Sequence, residues 1–187
     1  MIARALTIFI TVCIFLTTGC KKDPVSPPPP DQVEDFTYPA STKFAATLYS
    51  NNTNYKVGEN FDVKLVFYNM QDVFGAAAEI LFDSSYIEIT DSSKILIGTY
   101  FKTGDSTLYL RKVEQIGRAS IGISYIRGSG LVASGSGVVI KLRCKAKKIG
   151  STIFSLNGTK LEIRKNDGEF INNFSSLLKE NFAVSFQ

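Results

Sequence analysis

The side chains of this sequence best suited to acid–base or nucleophilic chemistry are its carboxylates and three cysteines, because histidine is absent. Without an imidazole, the usual zinc sites and serine-hydrolase arrangements lose their commonest ligand and base. Paired carboxylates can still cleave glycosidic bonds, but they must face each other across a cleft. Asp83, Glu88 and Asp91 lie close together along the chain at the ends of short apolar runs, where carboxylates cap turns. The stretch Asn166-Asp167-Gly168-Glu169 has the composition of a calcium loop without the regularly spaced acids of an EF-hand, and it reads as a hairpin turn. Cys144 alternates with Val138, Ile140 and Leu142, which puts its thiol on the apolar face of a strand, buried and inert. These patterns argue against an enzyme, and they ask for no metal or other cofactor.

The other two cysteines, Cys13 and Cys20, belong to the N-terminus. Residues 1–19 carry Arg4 as their one charge, then an apolar run from Ala5 through Leu16, short for a membrane span of about 20 residues. A basic start, an apolar centre and small residues before a cut have the layout of a secretory signal. Leu16-Thr17-Thr18-Gly19-Cys20 resembles the lipobox of bacterial lipoproteins, matching at Gly19 and Cys20, with the leucine one position earlier than usual. That resemblance implies cleavage before Cys20, lipidation of its thiol, and anchoring at a bacterial membrane, in the outer membrane or at the cell surface. Only Cys144 then remains, so no intramolecular disulfide staples the exported domain. The segment 20–42, with Pro24 and the run Pro27-Pro28-Pro29-Pro30, cannot bury a core and reads as a lipidated spacer. Residues 21–42 would reach about 68 Å if fully extended at about 3.1 Å per residue.

Residues 43–187 are long enough for one domain with a core of its own. Their charges are scattered, and the net +4 of the whole chain forms no basic stripe, which excludes a nucleic-acid surface. The chain reads as strand after strand. Phe61, Val63, Leu65 and Phe67 alternate along one face, as do Ala76, Ala78, Ile80 and Phe82. Further extended runs follow at 86–89, 95–101, 107–113, 119–125, 138–145, 152–156, 160–164 and 182–186. Gly117-Arg118, Asn157-Gly158 and Asn166-Asp167-Gly168 supply hairpin chemistry, and Gly135 and Gly137 permit positive φ at a strand entry. Only Ser175–Glu180 offers as much as a helical turn. The expectation is an all-β fold, an antiparallel sandwich of about nine strands.

Three stretches, in order, resemble the cohesin domain, the jelly-roll sandwich that receives dockerins in cellulosomes. Val57-Gly58-Glu59-Asn60-Phe61-Asp62-Val63 leading to Tyr68-Asn69 is similar to the family's opening strand. Gly75-Ala76-Ala77-Ala78-Glu79-Ile80-Leu81-Phe82-Asp83, followed by Tyr86-Ile87-Glu88-Ile89, resembles its aromatic–Asp strand end. Gly135-Ser136-Gly137 with Val138-Val139-Ile140-Lys141-Leu142, then Gly150-Ser151-Thr152, matches its small-residue turn and the strand after it.

The resemblance, which spans residues 45 to about 171, implies a module that binds rather than catalyses. It implies a docking face on one sheet for another exported protein, such as a dockerin-bearing polysaccharide-degrading enzyme. Alternation puts Ala77, Glu79 and Leu81 outward on the first of two strands, and Ser120, Gly122 and Ser124 outward on the second. Familiar cohesins carry polar hydrogen-bonding residues on the first strand, whereas this row is small and partly apolar. Two alternatives stay open. Cellulose-binding modules share the sandwich, so polysaccharide is a candidate ligand, with Tyr100, Tyr109 and Tyr125 as candidate platforms in a chain without Trp. The other is a purely structural envelope lipoprotein.

Overall fold

In the computed structural model, residues 35–102, 104, 106–114, 116–157, 159–171 and 177–187 are described. The signal segment 1–19, Cys20 and most of the proline-rich spacer lie outside the described residues. Thirteen strands, among the described residues, form two sheets.

The first sheet is built on two long strands, β3 (Asn60–Val73) and β9 (Ala133–Ala146). Around them run β1 (Ala45–Tyr49), β12 (Leu178–Glu180), β5 (Ile87–Glu88) and β6 (Ile95–Ile97), in the order β12-β1-β3-β9-β5 with β6 also on β9. The second sheet contains β2 (Asn54–Tyr55), β13 (Phe182–Phe186), β10 (Gly150–Leu156), β4 (Gly75–Leu81), β8 (Arg118–Tyr125) and β7 (Thr107–Glu114), in that order. There β11 (Glu162–Arg164) continues along β4 beside β10. Pairing is antiparallel except for β1 with β12 and β13 with β2. The antiparallel sandwich holds, with more and shorter pieces than nine strands. Leu178–Glu180 is strand, not the helical turn its sequence allows.

The core lies between the sheets. Phe61, Val63, Leu65 and Phe67 point inward from β3, and Ala76, Ala78 and Ile80 from β4. The rings of Phe61 and Phe154, one from each sheet, meet edge to face at 6.2 Å. Cys144 is buried among them, and its Sγ donates to the Leu142 carbonyl at 3.7 Å. Burial pushes this thiol's pKa well up, which keeps it an unreactive thiol.

Val138 departs from the expected face. The register shifts between Leu65/Ile140 and Val66/Val138, so Val139 is the extra residue of a bulge and turns inward. Val138 therefore joins Ala45, Val66 and Tyr68 on the outer side of the first sheet. Gly135 does take positive φ, at 95°, but inside β9 rather than at its entry. Gly137 is small for another reason: a Cβ there would sit 3.1 Å from the Tyr100 backbone.

The outer side of the first sheet is covered by the chain itself. The compact unit begins at Asp35, eight residues before the domain start expected from composition. Phe36 and Tyr38 pack on the Val66–Tyr68–Val138 cluster. Tyr68 Oη donates to the Pro39 carbonyl at 2.9 Å, and Tyr38 Oη to the Ser136 carbonyl at 2.9 Å. Asn69 Nδ2 reaches the carbonyls of Ser41 and Lys43 at 3.1 and 2.7 Å. Lys64, only 1% exposed, holds the Thr37 carbonyl at 2.8 Å and Asp35 at 3.3 Å. Lys141, 2% exposed, lies 4.9 Å above the Phe36 ring and 3.5 Å from Asp62. Residues 35–43 form no strand, and the carbonyls of Thr37, Pro39, Ser41 and Lys43 are met by side chains instead of a ladder.

Candidate functional site

The outer face of the second sheet has no such cover among the described residues. Antiparallel pairing puts directly opposed residues on one face. Ala77 faces Gly122, Glu79 faces Ser120, and Gly75 faces Ser124. All six residues expected to point outward (Ala77, Glu79 and Leu81 on β4, Ser120, Gly122 and Ser124 on β8) do so, each half-buried between inward neighbours. On β7 the same rows continue: Leu110 opposite Gly122, Leu108 opposite Ser124, Lys112 opposite Ser120 and Glu114 opposite Arg118.

One end of this face is closed by charge. Glu79 is only 12% exposed at its side chain, with Arg118 Nε 3.4 Å from one carboxylate oxygen and Asn157 Nδ2 donating to the other. The arginine Nε makes an ion pair there without a hydrogen bond. Arg118 also reaches Glu114 at 3.8 Å, and Lys112 Nζ donates to Glu114 at 2.7 Å. The hydrogen bond and charge of Lys112 hold the Glu114 carboxyl below the usual range. Glu79 is thus outward in register but occupied in cross-strand pairing.

The other end is open and apolar. Leu108 and Leu110 are 61% and 79% exposed on the edge strand β7. Between them and the hairpin at 162–168 runs a groove of about 550 Å³, floored by Gly75, Ala77, Gly122 and Ser124. Neither leucine nor the hairpin wall is among the residues that strand alternation singles out for this face. The run Leu108-Tyr109-Leu110 was the available signal: three consecutive bulky apolar residues on a strand cannot all face one core.

Of the residues considered for chemistry, Asp83, Glu88 and Asp91 lie away from the groove, whereas Asp167 belongs to its hairpin wall. Asp83 Oδ1 accepts from Ser85 N at 2.8 Å and Asp91 Oδ1 from Ser93 N at 2.6 Å. These bonds hold both carboxyls below the usual range and make them turn caps. Asp167 Oδ1 accepts from Glu169 N at 2.9 Å, within a hairpin turned at Gly168, whose φ is 88°. No group of three or more Cys, Asp or Glu among the described residues is placed to hold a metal ion. Of the three tyrosines, Tyr100 and Tyr125 are buried, and only Tyr109 is exposed, at 49%. Burial also pushes the Tyr100 phenol well up from its ordinary pKa.

A family model for the cohesin domain matches residues 45–171. The fold is similar to a type II cohesin domain from the cellulosome of Acetivibrio cellulolyticus, at 14% identity and a TM-score of 0.65, over 76% of this chain and 95% of that one. It is similar to a non-cellulosomal cohesin from the archaeon Archaeoglobus fulgidus, at 17% identity and a TM-score of 0.59, over 76% and 91% of the two chains. A third likeness is to a type II cohesin–X-dockerin complex from Acetivibrio cellulolyticus, at 16% identity and a TM-score of 0.64, over 76% and 99%. A sequence search of curated proteins gives no match.

Proposed function

This chain belongs to the cohesin domain family, and on that premise we propose that it is a non-catalytic docking module for another exported protein. The docking surface in this reading is the outer face of the second sheet, at its open apolar end. The partner it favours bears a dockerin, as in the solved cohesin–X-dockerin complex of similar fold, and belongs to an enzyme that degrades polysaccharide. The observation that carries the reading is the exposure of Leu108 and Leu110 beside a groove on a face left bare. An exposed apolar patch rimmed by polar groups is a common mark of a protein interface.

The reading includes export, with residues 1–19 as the signal and Cys20 as the lipid site. Several acyl chains on one residue hold a domain at a bilayer, since each buried methylene contributes about 0.8 kcal/mol. Because the compact unit begins at Asp35, the spacer shortens to residues 21–34, a reach of about 43 Å at about 3.1 Å per residue.

The test is capture of secreted and envelope proteins by the full chain, with and without calcium. A retained protein that is lost when Leu108→Asp or Leu110→Asp replaces the wild type supports the reading and its face. Retention indifferent to both variants removes the face. Retention of polysaccharide alone replaces docking with glycan binding.

A further inference from the structure

The floor of the groove carries a glycine that neither backbone nor packing requires. Gly122 lies inside β8 with an ordinary φ, directly between Ala77 and Leu110. A Cβ built on it would meet no atom within 4 Å. Gly75 in the next row differs, since a Cβ there would come within 3.0 Å of Ser124 Cβ and 3.2 Å of the Ile123 carbonyl. Glycine inside a strand weakens it, and such a position often marks the close approach of something else. At Gly122 that space is empty and opens onto the groove.

The chemistry around the space is specific. Ala77, Leu108 and Leu110 line it with aliphatic carbon. The one hydroxyl on the floor, Ser124 Oγ, already donates to the Tyr125 carbonyl at 2.7 Å, so the floor favours an apolar guest. β8 and β11 run in the same direction beside β4, so Arg127 and Lys165 both fall at one end of the groove. The neighbouring charges are engaged: Glu162 pairs with Arg164 at 3.2 Å, and the Asp167 carboxylate caps its own hairpin. Neither Arg127 nor Lys165 has an ion pair among the described residues.

We propose that Gly122 is the floor of a socket for one aliphatic side chain of the docked protein. Arg127 and Lys165 receive a carboxylate that the partner carries beside that side chain. The inference rests on the docking reading above and adds to it the chemistry of the contact. An aliphatic knob fills the space a side chain at position 122 would occupy, and the acid neutralises the cationic end of the groove.

The experiment titrates the full chain, methyl-labelled at leucine, with 4-methylpentanoate, which joins a leucine-like tail to a carboxylate. The counter-probe is 4-methylpentylamine, with the same tail and the opposite charge. Saturable shifts of the Leu108 and Leu110 methyls are expected with the acid. Binding of the amine should be at least tenfold weaker, and the acid's shifts should vanish in Gly122→Leu, whose ordinary φ and open space leave the fold intact. Absence of saturable shifts, equal binding of acid and amine, or unchanged binding by Gly122→Leu would each overturn the socket. A captured protein held equally by wild type and Gly122→Leu sinks the socket and leaves docking standing. Failure of the wild type to hold any exported protein sinks docking, and the socket with it.

Discussion

Both outer faces of the sandwich present apolar side chains, and the chain covers one of them. On the first sheet, Val66, Tyr68 and Val138 lie under residues 35–43, and Lys64 and Lys141 are buried with them. Each buried ammonium has an acceptor or a ring against it, which offsets the cost of removing it from water. On the second sheet, Leu108 and Leu110 remain in solvent beside a glycine with empty space above it. The strapped face shows what a fitted occupant of a sheet face looks like in this protein: aromatic rings set into the surface and side chains tied to carbonyls. The bare face has the apolar surface and the unpaired cations without the occupant.

Matched substitutions on the two faces should separate them. The largest contrast is Val66→Asp against Leu110→Asp in denaturant titrations of the full chain. The first buries a carboxylate with no partner and should cost about 3–5 kcal/mol. The second alters an exposed site and should stay within about 0.5 kcal/mol. Equal losses would mean that β7 is as buried as β3.

A smaller contrast lies in two glycines. A Cβ on Gly98 would fall 2.1 Å from the Val138 carbonyl, so Gly98→Ala must push β6 away from β9, at about 1–3 kcal/mol. Gly122→Ala meets nothing and should be neutral or stabilising by up to about 1 kcal/mol. Thermal melts of both variants decide this, and destabilisation by Gly122→Ala would mean that its space is already filled.

The smallest expected effect concerns the strap and acid. Hydrogen bonds from Thr37, then Asn51 and Lys64, hold the Asp35 carboxyl below the usual range. A carboxyl depressed in the folded state stabilises fully above its unfolded value of about 3.9 and loses that contribution as pH falls through the folded one. The melting-temperature difference between wild type and Asp35→Asn should therefore be constant from pH 7 to 5 and close only in stronger acid. Asp35 is half-exposed, so the difference is small. A difference that already varies between pH 7 and 5 would assign the strap's pH response to another group.

How much of this was legible depended on whether a strand has one buried face. Residues 61–67 declared themselves because only the inward positions needed large apolar side chains. The same strand's extension to Val73 did not, because Asn69 and Asp72 take positive φ, at 53° and 54°, and bulges break the alternation. β1 was hidden because the strap and the core bury both its faces, leaving Ala45–Tyr49 without a period of two. β12 depends on a parallel pairing with β1 across most of the chain, which no local pattern reports. The strap itself was masked by the prolines before it, although Phe36 and Tyr38, two residues apart, carried the signal of an extended segment with one apolar side. At the candidate site, alternation placed the β4 and β8 rows correctly. It could not show that Glu79 is held by Arg118 and Asn157, or that hairpin 162–168 walls the groove. Those contacts join residues far apart in sequence.

The central claim is that the bare face docks a protein and the strapped face does not. Hydrogen exchange of the full chain, free and bound to the protein it captures, tests this directly. The account predicts added protection in β4, β8, β7 and the 162–168 hairpin, with residues 35–43 and the middle of β3 unchanged. Protection confined to residues 35–43, β3 and β9 would place the partner on the opposite face and contradict it.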